Sequence, residues 1–278
     1  MGILNVTPDS FYDGNHWWGE AAIEHFSALI AEGAAIIDVG GESSRPGACG
    51  VSAREQIARI APVLEHAART ARDVLVTVDT CDPVVAEFAL RHGVHAINDV
   101  SCLANPLLAS LSSRYRAGLI IMHARGPMRD MPGYSAIPES SYNDVVLEVS
   151  QEWGSARRRA SAAGMPPEDI VFDPGLGFWK SARHSLELLG RLEEFHALQV
   201  PIMIGASRKS FLTLAEPGPP DTRLGASIAA CLASASKGAH IVRVHDVKAT
   251  RQALLLQRML TDTCQRTASV TPVMVEAC

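Results

Sequence analysis

The sequence predicts a single (β/α)8 barrel, the TIM-barrel class of α/β fold. Three observations support this prediction: short apolar runs alternate with longer amphipathic stretches, each apolar run ends in polar residues, and no linker or shift in composition divides the 278 residues. Eight parallel strands that close on themselves leave no sheet edge, which accounts for a chain of this length as one domain over residues 1–278.

The predicted strands are the short apolar runs, whose length and polar boundaries favour strand over helix. In chain order they are Gly2 to Val6, Ala35 to Val39, Val74 to Asp79, His95 to Asp99, Gly118 to His123, Ile170 to Asp173, Pro201 to Gly205 and His240 to Val244. Each one is followed by a stretch with helical periodicity, so the pattern is a repeated βα unit.

The predicted helices are Glu20 to Glu32, Ala53 to Ala71, Pro83 to His92, Leu107 to Arg114, Ser141 to Ala163, Ser181 to Phe195, Leu224 to Lys237 and Val247 to Leu260. A doubly wound open sheet is the alternative, but no Gly-x-Gly-x-x-Gly follows the first strand. The connections Thr7 to Gly19 and Gly40 to Ser52 are rich in Gly, Pro and Ser. Long loops at the carboxyl ends of barrel strands commonly carry function.

Composition narrows the class of partner. The charge is −5, from 25 Lys and Arg against 30 Asp and Glu, which argues against nucleic-acid binding. No apolar stretch approaches the roughly 20 residues of a membrane span, and the start of the chain does not resemble a signal peptide. Six scattered cysteines without CxxC spacing favour free thiols in a reducing compartment over disulfides or zinc. We therefore expect a cytoplasmic protein that binds neither nucleic acid nor membrane.

Polar side chains stand at the end of nearly every predicted strand, where a barrel places its active site. Any one of them has an ordinary explanation as a helix cap, as for Asp82 or Asp99 taken alone. Their recurrence around the barrel favours a functional mouth. The set is Asn5, Asp38, Glu42, Asp79, Asn98, Asp99, His123, Asp173, Ser207, Arg208, Lys209, Arg243, His245 and Asp246.

Two groups within this set suggest different ligands. Arg243 and His245 are two residues apart on a strand and point the same way, and Asn5 is their neighbour across the closing seam, which suits a phosphate-type anion with magnesium. Asp79, Asn98, Asp173 and Lys209 offer the donors and acceptors that a flat heterocycle requires. A glycosidase-type carboxylate pair is the alternative, but the accompanying cations fit it poorly.

The segment Gly205-Ala-Ser-Arg-Lys-Ser-Phe211 follows a predicted strand and carries two cations and two hydroxyls. Taken alone it is a weak signal for a phosphate loop or a helix start, and it lacks the Gly-Lys-Ser/Thr order of nucleotide-binding loops.

Together these segments resemble the dihydropteroate synthase family, in order and over nearly the whole chain. The matching segments are Met1-Gly-Ile-Leu-Asn-Val-Thr-Pro-Asp-Ser-Phe11, Asp38-Val-Gly-Gly-Glu-Ser-Ser-Arg-Pro-Gly47, Val78-Asp-Thr80, Ile97-Asn-Asp-Val100, Met122-His123, Phe172-Asp-Pro-Gly-Leu-Gly-Phe178, Ser207-Arg-Lys-Ser-Phe211 and Arg243-Val-His-Asp246. The resemblance implies a barrel enzyme that joins 6-hydroxymethyl-7,8-dihydropterin diphosphate to 4-aminobenzoate and releases pyrophosphate, with Mg²⁺ as cofactor, by SN1-like loss of diphosphate.

The resemblance also implies a role for each matching residue. The pterin would be held by Asp79, Asn98, Asp173 and Lys209, and the diphosphate by Asn5, Arg243 and His245. Asp13 would join Asn5 in holding magnesium. The 4-aminobenzoate pocket would be formed by Phe11, Ser44, Arg45, Pro46 and Ser210, with Phe178 and Met122 lining the substrate pocket. Sulfonamide binding is implied as well, and a homodimer through the last helices.

Two departures from the family pattern are mild: Ser44 stands where Thr is common, and Ala206 replaces a larger apolar residue. Two other functions remain open. Methyltetrahydrofolate-using corrinoid methyltransferases share the barrel and the pterin-holding Asp and Asn, but they have no need of the Arg243 and His245 anion pair. A non-catalytic pterin-binding paralogue would leave Asn5 and Lys209 without a role.

Overall fold

The computed structural model of the chain describes residues 1–7, 18–43, 50–133 and 136–268. The strands are β1 (Gly2–Asn5), β2 (Ile36–Gly40), β3 (Leu75–Asp79), β4 (Ala96–Asp99), β5 (Gly118–Met122), β6 (Ile170–Asp173), β7 (Met203–Ile204) and β8 (Ile241–Val242). The α-helices are α1 (Trp18–Ala31), α2 (Ala53–Thr70), α3 (Pro83–Arg91), α4 (Leu107–Arg114), α5 (Val145–Ala162), α6 (Ala182–Gly190), α7 (Leu224–Ser236) and α8 (Val247–Ala268).

The strands form a closed parallel barrel. β1 to β6 pair in chain order, and β7 pairs with β8. Bridges Phe172↔Ile202 and Gly2↔Val244 join the two sheets at both seams. At the closing seam, Val244 N donates to Met1 O over 2.9 Å. The predicted (β/α)8 barrel is therefore confirmed, and the doubly wound alternative is wrong because the first strand meets the segment after the last.

The predicted seventh and eighth strands are longer than the observed ones. Prediction placed them over Pro201 to Gly205 and His240 to Val244, whereas β7 and β8 have two residues each. Proline has no N–H to donate, so the ladder cannot extend regularly through residue 201. Separate bonds continue the pairing, such as Arg243 N to Ile204 O at 2.9 Å.

Side-chain caps decide where several helices begin. Asp82 accepts from Val84 N at 2.7 Å and caps α3, so its ordinary explanation is confirmed. Asp144 accepts from the N–H groups of residues 146 and 147, which starts α5 four residues later than predicted. α6 stops at Gly190, and a 3₁₀ helix over Leu192–Leu198 replaces the end of its predicted span.

The main core lies between the barrel wall and the surrounding helices. Its largest buried rings include Phe26, Trp153, Phe172 and Phe195. Trp153 stacks edge-on against Phe172 and donates from Nε1 to Ile121 O at 2.9 Å, which attaches α5 to β5. Within the described ranges, no helix combines the length and the apolar character needed to cross a membrane.

Candidate active site

Asp38 is the hub of the polar cluster at the barrel mouth. Its carboxylate is fully buried and accepts from Thr77 Oγ1 at 2.5 Å, from Asn98 Nδ2 at 2.9 Å and from Arg243 Nε at 2.7 Å. These three donors come from β3, β4 and the segment after β8. A buried carboxylate needs such partners, since an unpaired one is costly. The hub therefore fixes the positions of Asn98 and Arg243.

Arg243 joins the hub to Asp79. Its Nη2 lies 3.2 Å from Asp79 Oδ2, and its side chain is 19% exposed. Burial and the neighbouring Asp38 carboxylate raise the pKa of Asp79 to about 7, against the opposing effect of Arg243. The Asp79 carboxyl is therefore easier to protonate than an exposed carboxyl.

Asn98 carries the clearest sign of a missing ligand. The residue is 1% exposed, and its Nδ2 is committed to Asp38. Its Oδ1 is buried and has no hydrogen-bond partner among the residues that the structure describes. Leaving such an acceptor unsatisfied costs about 1–3 kcal/mol. A ligand with an N–H donor directed at this oxygen would recover that energy.

Asp173 and Lys209 form the opposite side of the pocket. Asp173 is 4% exposed and accepts from Gly175 N at 2.7 Å, and burial raises its pKa. Lys209 Nζ donates to Leu176 O at 2.6 Å and lies 4.4 Å from the centre of the Phe178 ring. Burial lowers the pKa of Lys209 to about 8.

An apolar floor lies next to this pair. Phe178 and Met122 pack together with Ala124 and Met131 in a small buried cluster. A cavity of about 370 Å³ opens nearby, and it is lined by Asp79 and by residues that follow β2 to β5. This volume is within the range of small-molecule sites. The mouth thus combines a flat apolar wall with hydrogen-bonding groups at its edge.

His245 is held by Ser207. The Ser207 hydroxyl lies 3.1 Å from His245 Nδ1 and accepts from His245 N at 3.2 Å. Loss of hydration, followed by the charges of Arg243 and Arg208, lowers the pKa of His245, so the ring is neutral at pH 7. Of the two groups predicted to converge on an anion, only Arg243 is a cation.

Arg208 and Asp246 clamp the segments after β7 and β8 together. Arg208 Nη2 lies 2.6 Å from Asp246 Oδ1, and its φ of 57° is in the left-handed region. A non-glycine residue takes this conformation only where its surroundings hold it. The clamp places Lys209 and His245, the chain neighbours of its two members, at the same mouth.

The remaining predicted site residues divide into two sets. Asn5 ends β1, and its Oδ1 stands beside Gly40, 3.4 Å from where a Cβ on that residue would lie. Ser210 begins the 3₁₀ helix Ser210–Leu214, so the helix start predicted there exists but is not an α-helix. The predicted site residues Phe11, Asp13, Ser44, Arg45 and Pro46 lie outside the described residues.

Three of the polar residues at strand ends serve the scaffold. Asp99 accepts from the N–H groups of Ser101 and Leu103 and holds the turn after β4. Glu42 accepts from Val51 N and Gln56 Nε2, both at 3.0 Å, which attaches its loop to α2. His123 is fully buried, and its Nε2 lies 2.9 Å from Glu152 Oε2 on α5.

Sequence reasoning missed several residues of the cluster. It gave Asp38 no role and did not consider Thr77, although Thr77 lies two residues before Asp79 and therefore shares its strand face. It also missed Lys180 and Glu152, which contact His123. No short-range pattern marks those two residues, because their partner lies 57 and 29 positions away.

A closed barrel whose mouth carries buried carboxylates, cations and an amide oxygen without a partner in the described residues suits an enzyme that binds a flat heterocycle. A family model described as "Pterin binding enzyme" matches residues 1–245. The dihydropteroate synthase of Escherichia coli strain K12 is 40% identical over 255 residues, which cover 91% of this chain and 88% of the relative.

Comparison with solved structures also leads to dihydropteroate synthases. The dihydropteroate synthase of Xanthomonas albilineans with 4-aminobenzoic acid matches with a TM-score of 0.85 and 37% identity, covering 94% of this chain and 92% of that one. The Yersinia pestis enzyme in complex with a sulfonamide drug matches with a TM-score of 0.85 and 35% identity, covering 94% and 93%. The chain belongs to the dihydropteroate synthase family, whose members are transferases of folate biosynthesis.

Proposed function

We propose that the chain condenses 6-hydroxymethyl-7,8-dihydropterin diphosphate with 4-aminobenzoate to give 7,8-dihydropteroate and pyrophosphate. The observation that carries this proposal is the buried Oδ1 of Asn98, which has no partner among the described residues and belongs to an amide that donates to the buried Asp38 carboxylate. A pterin ring presents N–H donors and acceptors along one planar edge, which is the pattern that this pocket complements. The similarity to dihydropteroate synthases supports the same reaction.

In this proposal Asp173 and Asp79 accept from the amino-amidine edge of the ring. Asn98 Oδ1 accepts one further N–H. Lys209, now bonded to Leu176 O, donates to a ring oxygen or nitrogen when the pterin is present. The Phe178 ring and Met122 cover an apolar face of the heterocycle. Every buried polar group of the pocket then has a partner.

Departure of the diphosphate is the difficult step, because an arylamine is neutral and nucleophilic at pH 7. The bond between the pterin methylene carbon and the diphosphate oxygen breaks, and its electron pair leaves with the diphosphate. Arg243 and the neutral His245 donate to the charge that develops there. The electron-rich dihydropterin bears the resulting cation in an SN1-like path. The amine nitrogen then bonds to the methylene carbon and loses one proton.

Magnesium fits the groups at the end of β1. Asn5 offers an amide oxygen beside Gly40, and the family resemblance adds the Asp13 carboxylate. Mg²⁺ prefers oxygen ligands and commonly binds one or two protein oxygens together with substrate phosphates. We propose that Asn5 and Asp13 hold the ion. When bound, it would neutralise charge on the diphosphate.

The second substrate would lie toward the loops. We propose that Ser210 meets the carboxylate of 4-aminobenzoate and that Phe11, Ser44, Arg45 and Pro46 shape the rest of that pocket. A related enzyme crystallised with a sulfonamide supports the same pocket as a sulfonamide site. We also place the reaction in the cytoplasm, in keeping with the free thiols of Cys81, Cys102 and Cys231.

We propose a homodimer that uses α8. Its residues Leu255, Leu256, Met259 and Leu260 are spaced to share one face, and Leu256 and Met259 are 57% and 66% exposed. A contiguous apolar face of this kind marks an interface. The double substitution Leu256→Glu/Met259→Glu is expected to convert a dimer to a monomer in light scattering. The proposed dimer would be contradicted if light scattering showed the wild-type chain to be a monomer even at a concentration about 10-fold above that of the activity assay.

A pyrophosphate-release assay tests the main proposal. Release is expected only when dihydropterin diphosphate, 4-aminobenzoate and Mg²⁺ are all present, and EDTA should abolish it. Pterin binding without turnover would instead indicate the non-catalytic paralogue. Methyl transfer from methyltetrahydrofolate to a corrinoid, with no pyrophosphate release, would indicate the methyltransferase.

A further inference from the structure

Lys180 carries a buried amino group that the proposed reaction does not use, and burial lowers the pKa of this group to about 7. It lies two residues before α6 and is fully buried. Its Nζ donates to Phe178 O at 3.0 Å and to His123 Nδ1 at 2.9 Å, with His123 O at 3.4 Å. Among the described residues no carboxylate lies within ion-pair distance of it. Burying such a group is costly unless it is hydrogen-bonded, and its three acceptors all lie at one junction of the fold.

The partners of Lys180 form an ordered chain of hydrogen bonds. The ionised Glu152 carboxylate can only accept, so His123 Nε2 carries the proton of the neutral ring and His123 Nδ1 accepts from Lys180. That proton is donated to Glu152 Oε2 at 2.9 Å, and Arg125 donates to the same carboxylate from outside. Burial and the charge of Lys180 lower the pKa of His123 to about 4, so the ring stays neutral. The tautomer and orientation of His123 are thereby set.

The other end of the network holds the turn after β6. Gly175 and Gly177 have φ values of 68° and 81°, and a Cβ on Gly175 would lie 2.2 Å from His123 O. The turn is therefore packed directly on the end of β5. Lys180 contacts both sides of this junction, because it bonds Phe178 O on the turn and His123 on the strand side.

The same turn carries two groups of the proposed pterin pocket. Leu176 O is the acceptor of Lys209 Nζ, and the Phe178 ring lies under that ammonium group. Gly175 N donates to Asp173 at 2.7 Å. A shift of the turn would move the Phe178 ring, the bond to Lys209 and the bond to Asp173 together. The leaving-group donors Arg243 and His245 lie after β8, outside this junction.

We propose that Lys180 is a positioning residue of the dihydropterin site, which locks the turn at residues 175–178 against the end of β5. The proposal rests on the proposed function for the identity of the ligand. It assigns Lys180 to binding of the pterin and not to departure of the diphosphate. Loss of Lys180 should therefore weaken pterin binding and leave turnover at saturating substrate nearly unchanged.

The test compares Lys180→Met, which keeps an unbranched side chain one atom shorter, with Lys237→Met on the surface. Titration calorimetry with 6-hydroxymethylpterin measures affinity without turnover. For Lys180→Met we expect a Kd and a KM for the dihydropterin diphosphate raised roughly tenfold, with kcat changed less than about threefold, because the bonds that join the turn to His123 are lost on the binding side. Lys237→Met should match the wild type in all three.

A second variant separates positioning from stability. His123→Leu/Lys180→Met replaces both buried partners by apolar groups, which should recover part of any loss in Tm. Pterin affinity that stays weak in this variant supports the proposal. Affinity that recovers with Tm, or a KM that is unchanged in a folded Lys180→Met protein, overturns it. A wild-type protein that binds pterin but releases no pyrophosphate would contradict the proposed function alone, since the Kd comparison does not depend on turnover.

Discussion

Replacing Arg243 by alanine is the most informative single perturbation of this site. The side chain bonds Asp38 at 2.7 Å and Asp79 at 3.2 Å, and the two carboxylates are 0% and 12% exposed. Removing the cation leaves two adjacent buried carboxylates, and breaking such a pair costs about 3–5 kcal/mol. We expect a loss of unfolding free energy near the lower end, about 3 kcal/mol, because Asp79 can take up a proton.

The catalytic effect should be separable from this loss of stability. If Arg243 donates to the departing diphosphate, its removal should cost about 3 kcal/mol of transition-state stabilisation, or roughly 100-fold in kcat. Pyrophosphate release at saturating substrates gives kcat, and urea unfolding gives the stability of the same sample. Arg243→Lys keeps the charge but lacks the planar fork of five donors that lets arginine bond Asp38, Asp79 and a ligand together, so an intermediate kcat is expected.

Arg91→Ala is the matched control. Arg91 also pairs with a carboxylate, that of Glu87 at 2.9 Å, but its side chain is 64% exposed. Exposed pairs contribute about 0–1 kcal/mol, so both stability and kcat should stay near the wild-type values. A folded Arg243→Ala protein whose kcat matches that of Arg91→Ala would refute the assignment of Arg243 to the leaving group.

Two further predictions concern Asn98 and His123. Asn98→Ala should raise the KM for the dihydropterin diphosphate about 10- to 100-fold, because a buried acceptor for the ring is lost. The KM for 4-aminobenzoate should change little. Equal changes in the two KM values would contradict a pterin-specific role for Asn98. The pKa of His123 falls from 6.5 unfolded to about 4 folded, so the unfolded state takes up the proton first as the pH drops. Between pH 7 and pH 5 this difference in pKa should remove on the order of 2 kcal/mol from the unfolding free energy. In urea titrations, the unfolding free energy of His123→Leu should therefore depend less steeply on pH than that of the wild type. An identical dependence on pH would show that the ring is not held neutral.

Local sequence signals located most elements of the fold. The predicted bounds of β6 and α4 agree with the structure, because each is an apolar or amphipathic run with polar residues or proline at its edges. The bounds failed at α5, where Asp144 captures the first free N–H groups. They failed again after Gly190, where the chain tightens into a 3₁₀ helix. Both misses are choices between competing local hydrogen bonds, which periodicity does not register.

The strand-end positions also located the residues that we propose hold the pterin. Asp79, Asn98, Asp173 and Lys209 each end or follow a strand, so a barrel of parallel strands must bring them to one mouth. For Asn98, whose amide was expected to offer both a donor and an acceptor, the structure commits Nδ2 to Asp38 and leaves only Oδ1 without a partner among the described residues. The prediction stopped short for His245, whose neutral state depends on Arg243 and Arg208 nearby.

The sequence by itself determined the repeated βα units, the polar ends of the strands and the family. These features depend on short stretches of residues and on the order of the motifs along the chain. Only the tertiary structure decided which charged and polar side chains contact each other. Arg243 meets Asp38 and Asp79 across 205 and 164 positions of chain, and Lys180 meets His123 across 57. Such pairings exist only after the barrel closes, because closure sets both the neighbours of each buried group and its distance from water.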